Sequence, residues 1–153
     1  MKRTELLERV REAHTRLVNA LDGLSEEEAS RAGLNENWSV KDALAHISAW
    51  EVEGARIISE IQQGTWKPQQ VNKELIDEFN ARAVEERRAR SMREVTDEFN
   101  TAHQEMERVL ESLPEEVDEK SPAFEYARAI TFRHHAHHAG QIEEWKKKIH
   151  GDG

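Results

Sequence analysis

Several residue types are absent or scarce in this 153-residue sequence, and each shortage excludes a class of structure or chemistry. There is no cysteine, which excludes disulfide bonds, thiolate metal ligands and a cysteine nucleophile. Five of the seven glycines and all three prolines fall at or between the ends of predicted helices, and no segment shows a strand pattern. No apolar run approaches the roughly 20 residues of a membrane-spanning helix. These absences predict an all-α protein without a membrane span.

Basic residues are also in the minority. The sequence has 22 Lys+Arg against 31 Asp+Glu, which gives a formal net charge of −9. Nucleic acids and anionic membranes are bound through basic surfaces, so this balance predicts no nucleic-acid partner and no membrane partner. The charged start MKRTELLERV lacks the apolar core of a signal peptide, which predicts a cytoplasmic protein.

The chain length predicts one domain over residues 1–150, followed by a tail at 151–153. Apolar residues recur at three- and four-residue spacing, which predicts five main helices. Thr4 and Ser39 are the predicted N-caps of the first two helices. The predicted helices cover about 4–22, 39–63, 71–89, 91–113 and 121–149.

The order of these helices predicts an all-α four-helix bundle with an extra helix. The 71–89 helix is the extra one, because it lies in the connection between the second and third bundle helices. A crossover of this length would let those two bundle helices run parallel, as in bundles with one long connection.

Eight histidines are present, and four of them fall within five residues near the C-terminus. Because an α-helix turns about 100° per residue, His134 and His138 lie only about 40° apart, on a mostly apolar face. His46 lies on the apolar face of the second helix. An imidazole that faces a core needs partners, since a buried polar group left unpaired costs about 1–3 kcal/mol.

A divalent metal would take a lone pair from each of His46, His134 and His138. Histidines at i and i+4 are a common chelating pair on a helix. Three protein ligands leave a position open for water or substrate, as in catalytic zinc sites. The alternative is a plain helical bundle in which these histidines are satisfied core residues.

Two other polar residues are candidates for a role beside these three histidines. Glu53 lies two turns along the second helix from the predicted ligand and is a candidate general base. Gln141 lies one turn beyond the histidine run and is a candidate contact to substrate or to a ring nitrogen. His14 and His103 lie on predicted helices with no evident site partner.

The segments that carry these histidines resemble a known family. Residues 37–51, NWSVKDALAHISAWE, resemble the second-helix signature of the DinB/YfiT-like superfamily. Residues 134–142, HHAHHAGQI, are similar to its HxxHHxGQI segment, and DEFNAR at 77–82 resembles the ClbS/DfsB branch. The resemblance implies an up-down-down-up four-helix bundle. It also implies a zinc or nickel site formed by His46, His134 and His138.

The resemblance further implies a choice between catalysis and protection. Characterised relatives include thiol-dependent S-transferases and isomerases, while the ClbS branch protects against a genotoxin. We therefore predict a metal-dependent hydrolase or thiol-dependent S-transferase that acts on small electrophilic substrates. The alternative is a non-catalytic small-molecule binding or self-protection protein of the ClbS/DfsB type. A low-molecular-weight thiol would have to be a cofactor, since the chain has no cysteine. An exposed apolar seam would allow a homodimer.

Overall fold

The computed structural model describes residues 1–35 and 37–151, so most of the predicted tail at 151–153 lies outside the described residues. These residues form seven α-helices and no β-strand, which confirms the all-α prediction. No helix among them is both long enough and apolar enough to cross a membrane. The helices are α1 Arg3–Leu21, α2 Glu26–Ser30, α3 Val40–Gln63, α4 Lys73–Glu86, α5 Met92–Glu111, α6 Pro122–Ile130 and α7 Phe132–His150.

Serine caps fix where three of the helices begin. Ser25, Ser39 and Ser91 each accept a hydrogen bond from the backbone N–H three residues on. The acidic side chain at that later position accepts from the serine's own N–H, so each helix starts with a complete capping box. The prediction that Thr4 is the N-cap of the first helix is wrong. Helix α1 begins at Arg3, so the threonine lies inside the helix, where its hydroxyl cannot cap the first turn.

The C-terminal segment is broken at Thr131, whereas the sequence predicts one helix over 121–149. The backbone at this residue has φ −103° and ψ −94°, outside the helical region. Its hydroxyl donates to the carbonyl oxygen of Ala127, one turn back. A threonine that bonds back onto the preceding turn bends helices. The apolar stripe continues across the break, which is why periodicity did not reveal it.

Helices α3 and α5 pack side by side and run in the same direction. At the start of α3, Lys41 Nζ donates to the backbone carbonyl of Arg90 over 2.7 Å. At its end, Gln62 Nε2 donates to the carbonyl of Ser112 over 3.2 Å. Helix α4 lies in the connection between them, where the sequence predicts the extra helix.

Helices α1 and α7 also pack together in one common direction. Arg9 lies over the ring of Phe132 near the start of α7, and Arg16 pairs with Glu143 further along both helices. Helix α1 runs opposite to α5, because Arg3 Nη1 donates to a carbonyl at the far end of α5.

The apolar core consists of two clusters with a polar layer between them. One cluster contains Leu6, Ile58, Met106 and Phe124, and the other contains Leu17, Leu44, Phe99 and Ile142. On every long helix, the residues between the two clusters include a buried or half-buried polar side chain. These polar residues are His14 on α1, His46 and Glu51 on α3, His103 on α5, and His134, His135 and His138 on α7.

Candidate metal centre

Three histidines from α3 and α7 converge in this polar layer. Nε2 of His134 lies 2.8 Å from Nε2 of His46 and 3.1 Å from Nε2 of His138. His134 and His138 lie one turn apart on α7 and face α3, as helical geometry predicts. The structure thus brings together the three residues that the sequence selects as metal ligands, and their binding of a metal stays a prediction.

The ring of His46 is held in one tautomer by its neighbours. Its Nδ1 lies 2.9 Å from Oδ1 of Asn80 on α4, and the indole N–H of Trp50 donates to the same oxygen over 2.7 Å. An indole nitrogen can only donate, so the shared atom is an amide oxygen and His46 Nδ1 must also donate to it. The lone pair of His46 therefore lies on Nε2, the atom that faces the other two histidines.

His138 is oriented in the same way by a neighbour on its own helix. Its Nδ1 donates to Oε1 of Gln141 over 2.9 Å, which leaves its Nε2 lone pair directed at the centre. His134 Nε2 thus faces two acceptors and can donate a proton to only one of them. Its Nδ1 is buried and has no hydrogen-bond partner among the described residues.

All three rings are neutral at physiological pH. Burial lowers the pKa of His46 to about 4, although the hydrogen bond to Asn80 opposes this shift. Burial, with the neighbouring His138 and His46, lowers the pKa of His134 to about 2. Burial and His46 lower the pKa of His138 to about 3. Neutral imidazoles are the form that binds a metal ion.

This donor set fits a divalent metal. Zinc binds imidazole nitrogen at about 2.0–2.1 Å, which in a tetrahedral site separates two such nitrogens by about 3.3 Å. The observed separations of 2.8 and 3.1 Å are close to this value. A cation between the three rings would also accept the Nε2 lone pairs of His46 and His138, which a single proton on His134 Nε2 cannot satisfy together. The amides of Asn80 and Gln141 are the kind of partner that orients metal-binding histidines.

A cavity of about 710 Å³ opens beside these histidines, between α3, α4, α6 and the connection 64–72. His46 and His134 form part of its wall. About half of the other residues in the wall are aromatic or aliphatic, and five are charged. The aromatic members are Trp50, Trp66, Phe79 and Tyr126. Apolar cavities of about 300–1,000 Å³ with a few polar groups are typical of small-molecule sites.

The two predicted non-ligand residues lie in different places. Glu53 lines the cavity, where Arg56 Nε donates to its Oε2 over 3.1 Å, so its carboxylate is already ion-paired. Gln141 contacts His138 and is not part of the cavity wall described above. That Glu53 acts as a general base stays a prediction, and so does a contact between Gln141 and substrate.

A second polar cluster was not found from the sequence. It consists of His14, Glu51, His103 and His135, which are contributed by α1, α3, α5 and α7. Each lies on the apolar stripe of its helix, three or four residues from core side chains. The feature of the sequence that could have revealed this cluster was therefore a charged or imidazole side chain at a core position of each helix. No spacing along the chain relates these residues, because they lie on four different helices.

Glu51 is the centre of this cluster. Its side chain is 0% exposed, and its Oε1 lies 3.2 Å from Nδ1 of His103 and 2.8 Å from Nε2 of His135. Burial alone would raise the pKa of this carboxyl, but the two histidines hold it below its ordinary value. The ring of His14 stacks on His103 with centroids 3.7 Å apart, and burial lowers its pKa to about 4.

Comparisons with known proteins point to one family. A family model described as the DinB superfamily matches residues 7–142. Known structures with the same fold include the colibactin self-resistance protein ClbS in complex with a dsDNA, at a TM-score of 0.81 and 10% identity. That match covers 95% of this chain and 96% of ClbS. No curated protein matches the sequence.

Two further structures share the fold. The Sibling Lethal Factor Precursor DfsB has a TM-score of 0.82 at 12% identity, with 97% of each chain covered. An uncharacterised protein from Escherichia coli UTI89 has a TM-score of 0.80 at 15% identity, with 97% of this chain and 95% of that chain covered. The structure of ClbS with dsDNA shows that the exclusion of nucleic-acid partners was wrong. Net charge is a sum over the whole molecule and does not describe individual surfaces.

Proposed function

The chain belongs to the DinB superfamily, and we propose that it is a metal-dependent enzyme, a hydrolase or a thiol-dependent S-transferase, acting on small electrophilic substrates. One observation carries the proposal: three Nε2 atoms, from His46, His134 and His138, converge beside a cavity of small-molecule size. We further propose that the helix directions are those of an up-down-down-up four-helix bundle. The metal in this proposal is zinc or nickel.

The chain's own residues prepare the site for such an ion. A zinc or nickel ion would act there as a Lewis acid that lowers the pKa of bound water to about 7, or would hold a thiolate. Asn80 and Gln141 keep the lone pairs of His46 and His138 directed at the centre. Glu53 is one of two carboxylates in the cavity wall, and it would accept a proton once Arg56 releases it.

The cavity walls support a small, partly apolar substrate. Trp50 and Phe79 pack with ring centroids 4.2 Å apart and form an apolar part of the wall that also contains His46. A cavity of about 710 Å³ has room for a low-molecular-weight thiol beside a small electrophile. Since the chain has no cysteine, the sulfur nucleophile of an S-transferase would have to be this cofactor.

The second candidate function is binding or self-protection without turnover, of the ClbS/DfsB type. It is favoured by the state of the carboxylates in the cavity wall, because Glu53 and Glu60 are both ion-paired with Arg56. A cavity whose bases are already paired can hold a molecule without reacting with it. The dsDNA bound to ClbS makes DNA a second ligand to be tested.

Metal content tests the ligand set. Protein prepared without a histidine tag should contain zinc or nickel, and His138→Ala should contain one ion per chain less than the wild type. His137→Ala is the matched control, because this exposed histidine adjoins His138 on the same helix. Elemental analysis after gel filtration gives the stoichiometry. Equal metal content in the wild type and both variants would refute the proposed ligand set.

Turnover separates the two candidate functions. The metal-loaded protein is mixed with a small electrophile and a panel of low-molecular-weight thiols, and product is measured by mass spectrometry. The enzyme proposal expects a rate above background that His138→Ala abolishes and His137→Ala preserves. Stoichiometric binding of the electrophile without product would favour the binding function. A mobility-shift assay with dsDNA, on the same samples, tests DNA binding directly.

A further inference from the structure

The second polar cluster contains a buried carboxylate that lacks a permanent cation. Glu51 Oε1 contacts two histidines, and the described part of the chain places no lysine or arginine in ion-pair contact with it. A buried carboxylate without compensation is costly, so the cluster needs a positive charge. Two sources are available, namely a protonated histidine or a bound cation.

Unsatisfied atoms favour the cation. Oε2 of Glu51 is buried and has no hydrogen-bond partner in the described structure. Neither ring nitrogen of His135 makes a hydrogen bond, because the 2.8 Å contact with Glu51 lacks the required geometry. Nδ1 of His14 is also buried without such a bond, and Nε2 of His103 lies 3.4 Å from Oε2 of Glu107 without forming one. A proton on one ring would satisfy one of these atoms, whereas a metal ion binds several of them together.

We propose that His14, Glu51, His103 and His135 form a second metal site, separate from the site that includes His46. One ligand nitrogen from each of the three histidines lies within 4.8 Å of the other two. With the carboxylate of Glu51 they make a set of three nitrogens and one oxygen from four different helices. Imidazole and carboxylate ligands suit a divalent transition metal such as zinc.

His14 is the ligand that must move. Its ring is parallel to that of His103, with an angle of 2° between the planes, whereas the lone pairs of two ligands of one ion must point at a common centre. His14 is only half-buried, so its side chain can turn out of the stack. Glu51, His103 and His135 are at most 3% exposed and are already in contact. The buried three therefore form the fixed part of the site.

Cobalt titration of the metal-free, untagged protein tests this second site. Co²⁺ is followed by its visible absorption, and bound metal is counted by equilibrium dialysis and elemental analysis. Glu51→Gln removes the charge and keeps the shape of the side chain. His14→Phe removes one ligand and keeps the ring that stacks on His103. His138→Ala removes a ligand of the other site.

The proposal expects the wild type to bind two Co²⁺ ions, and Glu51→Gln and His138→Ala to bind one each. In His14→Phe, loss of a ligand should weaken one site by at least the roughly 10–100-fold that loss of an outer partner costs. This variant decides the question if Glu51→Gln does not fold. If the wild type binds a single ion and His138→Ala retains it, the result supports this second site and refutes the site that includes His46. The proposal is overturned if Glu51→Gln or His14→Phe binds as the wild type does, or if the wild type's only ion disappears in His138→Ala.

Discussion

Acid should unfold the metal-free protein well before its carboxylates titrate. His46, His134 and His138 have pKa values of about 4, 2 and 3 in the folded chain, and His14 has one of about 4, because burial disfavours the charged rings. In the unfolded chain each returns to a pKa near 6.5. Between pH 6.5 and about 4 the unfolded state therefore binds up to four protons that the folded state excludes. The free energy of unfolding must fall as the pH falls through this window.

The expected size of this effect is large. Each proton taken up on unfolding lowers the free energy of unfolding by about 1.36 kcal/mol per pH unit, so four histidines give about 5 kcal/mol per unit. From pH 7 to pH 5 the loss is about 7 kcal/mol, because protonation of the unfolded chain starts near pH 6.5. Single domains have a total stability of about 5–15 kcal/mol. The metal-free protein should therefore approach its unfolding transition near pH 5.

Urea denaturation of the metal-free protein at several pH values between 7 and 5 measures this slope directly. Linkage gives the number of protons taken up on unfolding, which should be close to four near pH 5, three from the candidate metal centre and one from His14. His138→Gln should lower this number by about one, whereas His137→Gln, at an exposed position, should lower it much less. Saturating zinc should move the transition to lower pH, because the ion binds only the folded form. A slope of one proton or less in the wild type would refute the buried, neutral state of these rings.

Two further predictions concern packing and ring orientation. Gly54→Ala places a Cβ 2.6 Å from Cδ1 of Ile130 and should cost about 1–3 kcal/mol of unfolding free energy in urea. Gly140→Ala, also within a helix but with only an ordinary contact of 3.7 Å between the new methyl group and Arg16 Nη2, should instead stabilise by up to about 1 kcal/mol. Equal effects would contradict the close approach of α3 to α6. Asn80→Leu should weaken zinc binding about 10–100-fold in a competition titration, because the His46 ring loses its orienting acceptor. Asn100→Leu, on the exposed side of α5, should bind zinc as the wild type does, and a similar loss in both variants would refute the orienting role.

The sequence predicted what depends on neighbours along one helix. Periodicity and serine caps located α3 and α5, because a cap and an apolar stripe are both local patterns. The same periodicity placed His134 and His138 on one inward face. The sequence also paired them with His46, since it lies on the inward face of another long helix. The resemblance to the DinB superfamily is confirmed by the match to its family model.

What the sequence did not predict depends on contacts between helices or on a single backbone angle. His14 and Glu51 lie far apart in the chain and on different helices, so no sequence spacing relates them. The break at Thr131 depends on a side chain that bonds back to Ala127, which composition does not encode. Asn80 lies in the DEFNAR segment that resembles the ClbS/DfsB branch, and nothing in that pattern predicts that its amide oxygen fixes the tautomer of His46.

The adjacency of His134 and His135 ties the two polar clusters to one helical register. Consecutive residues on a helix point about 100° apart, so each cluster receives one member of this pair. Inserting or deleting a residue between the Thr131 break and the pair would rotate both rings off their targets together. Natural insertions and deletions near this segment should therefore lie before Thr131, where the helix is already interrupted. Within α7, such a change could not alter one cluster without altering the other.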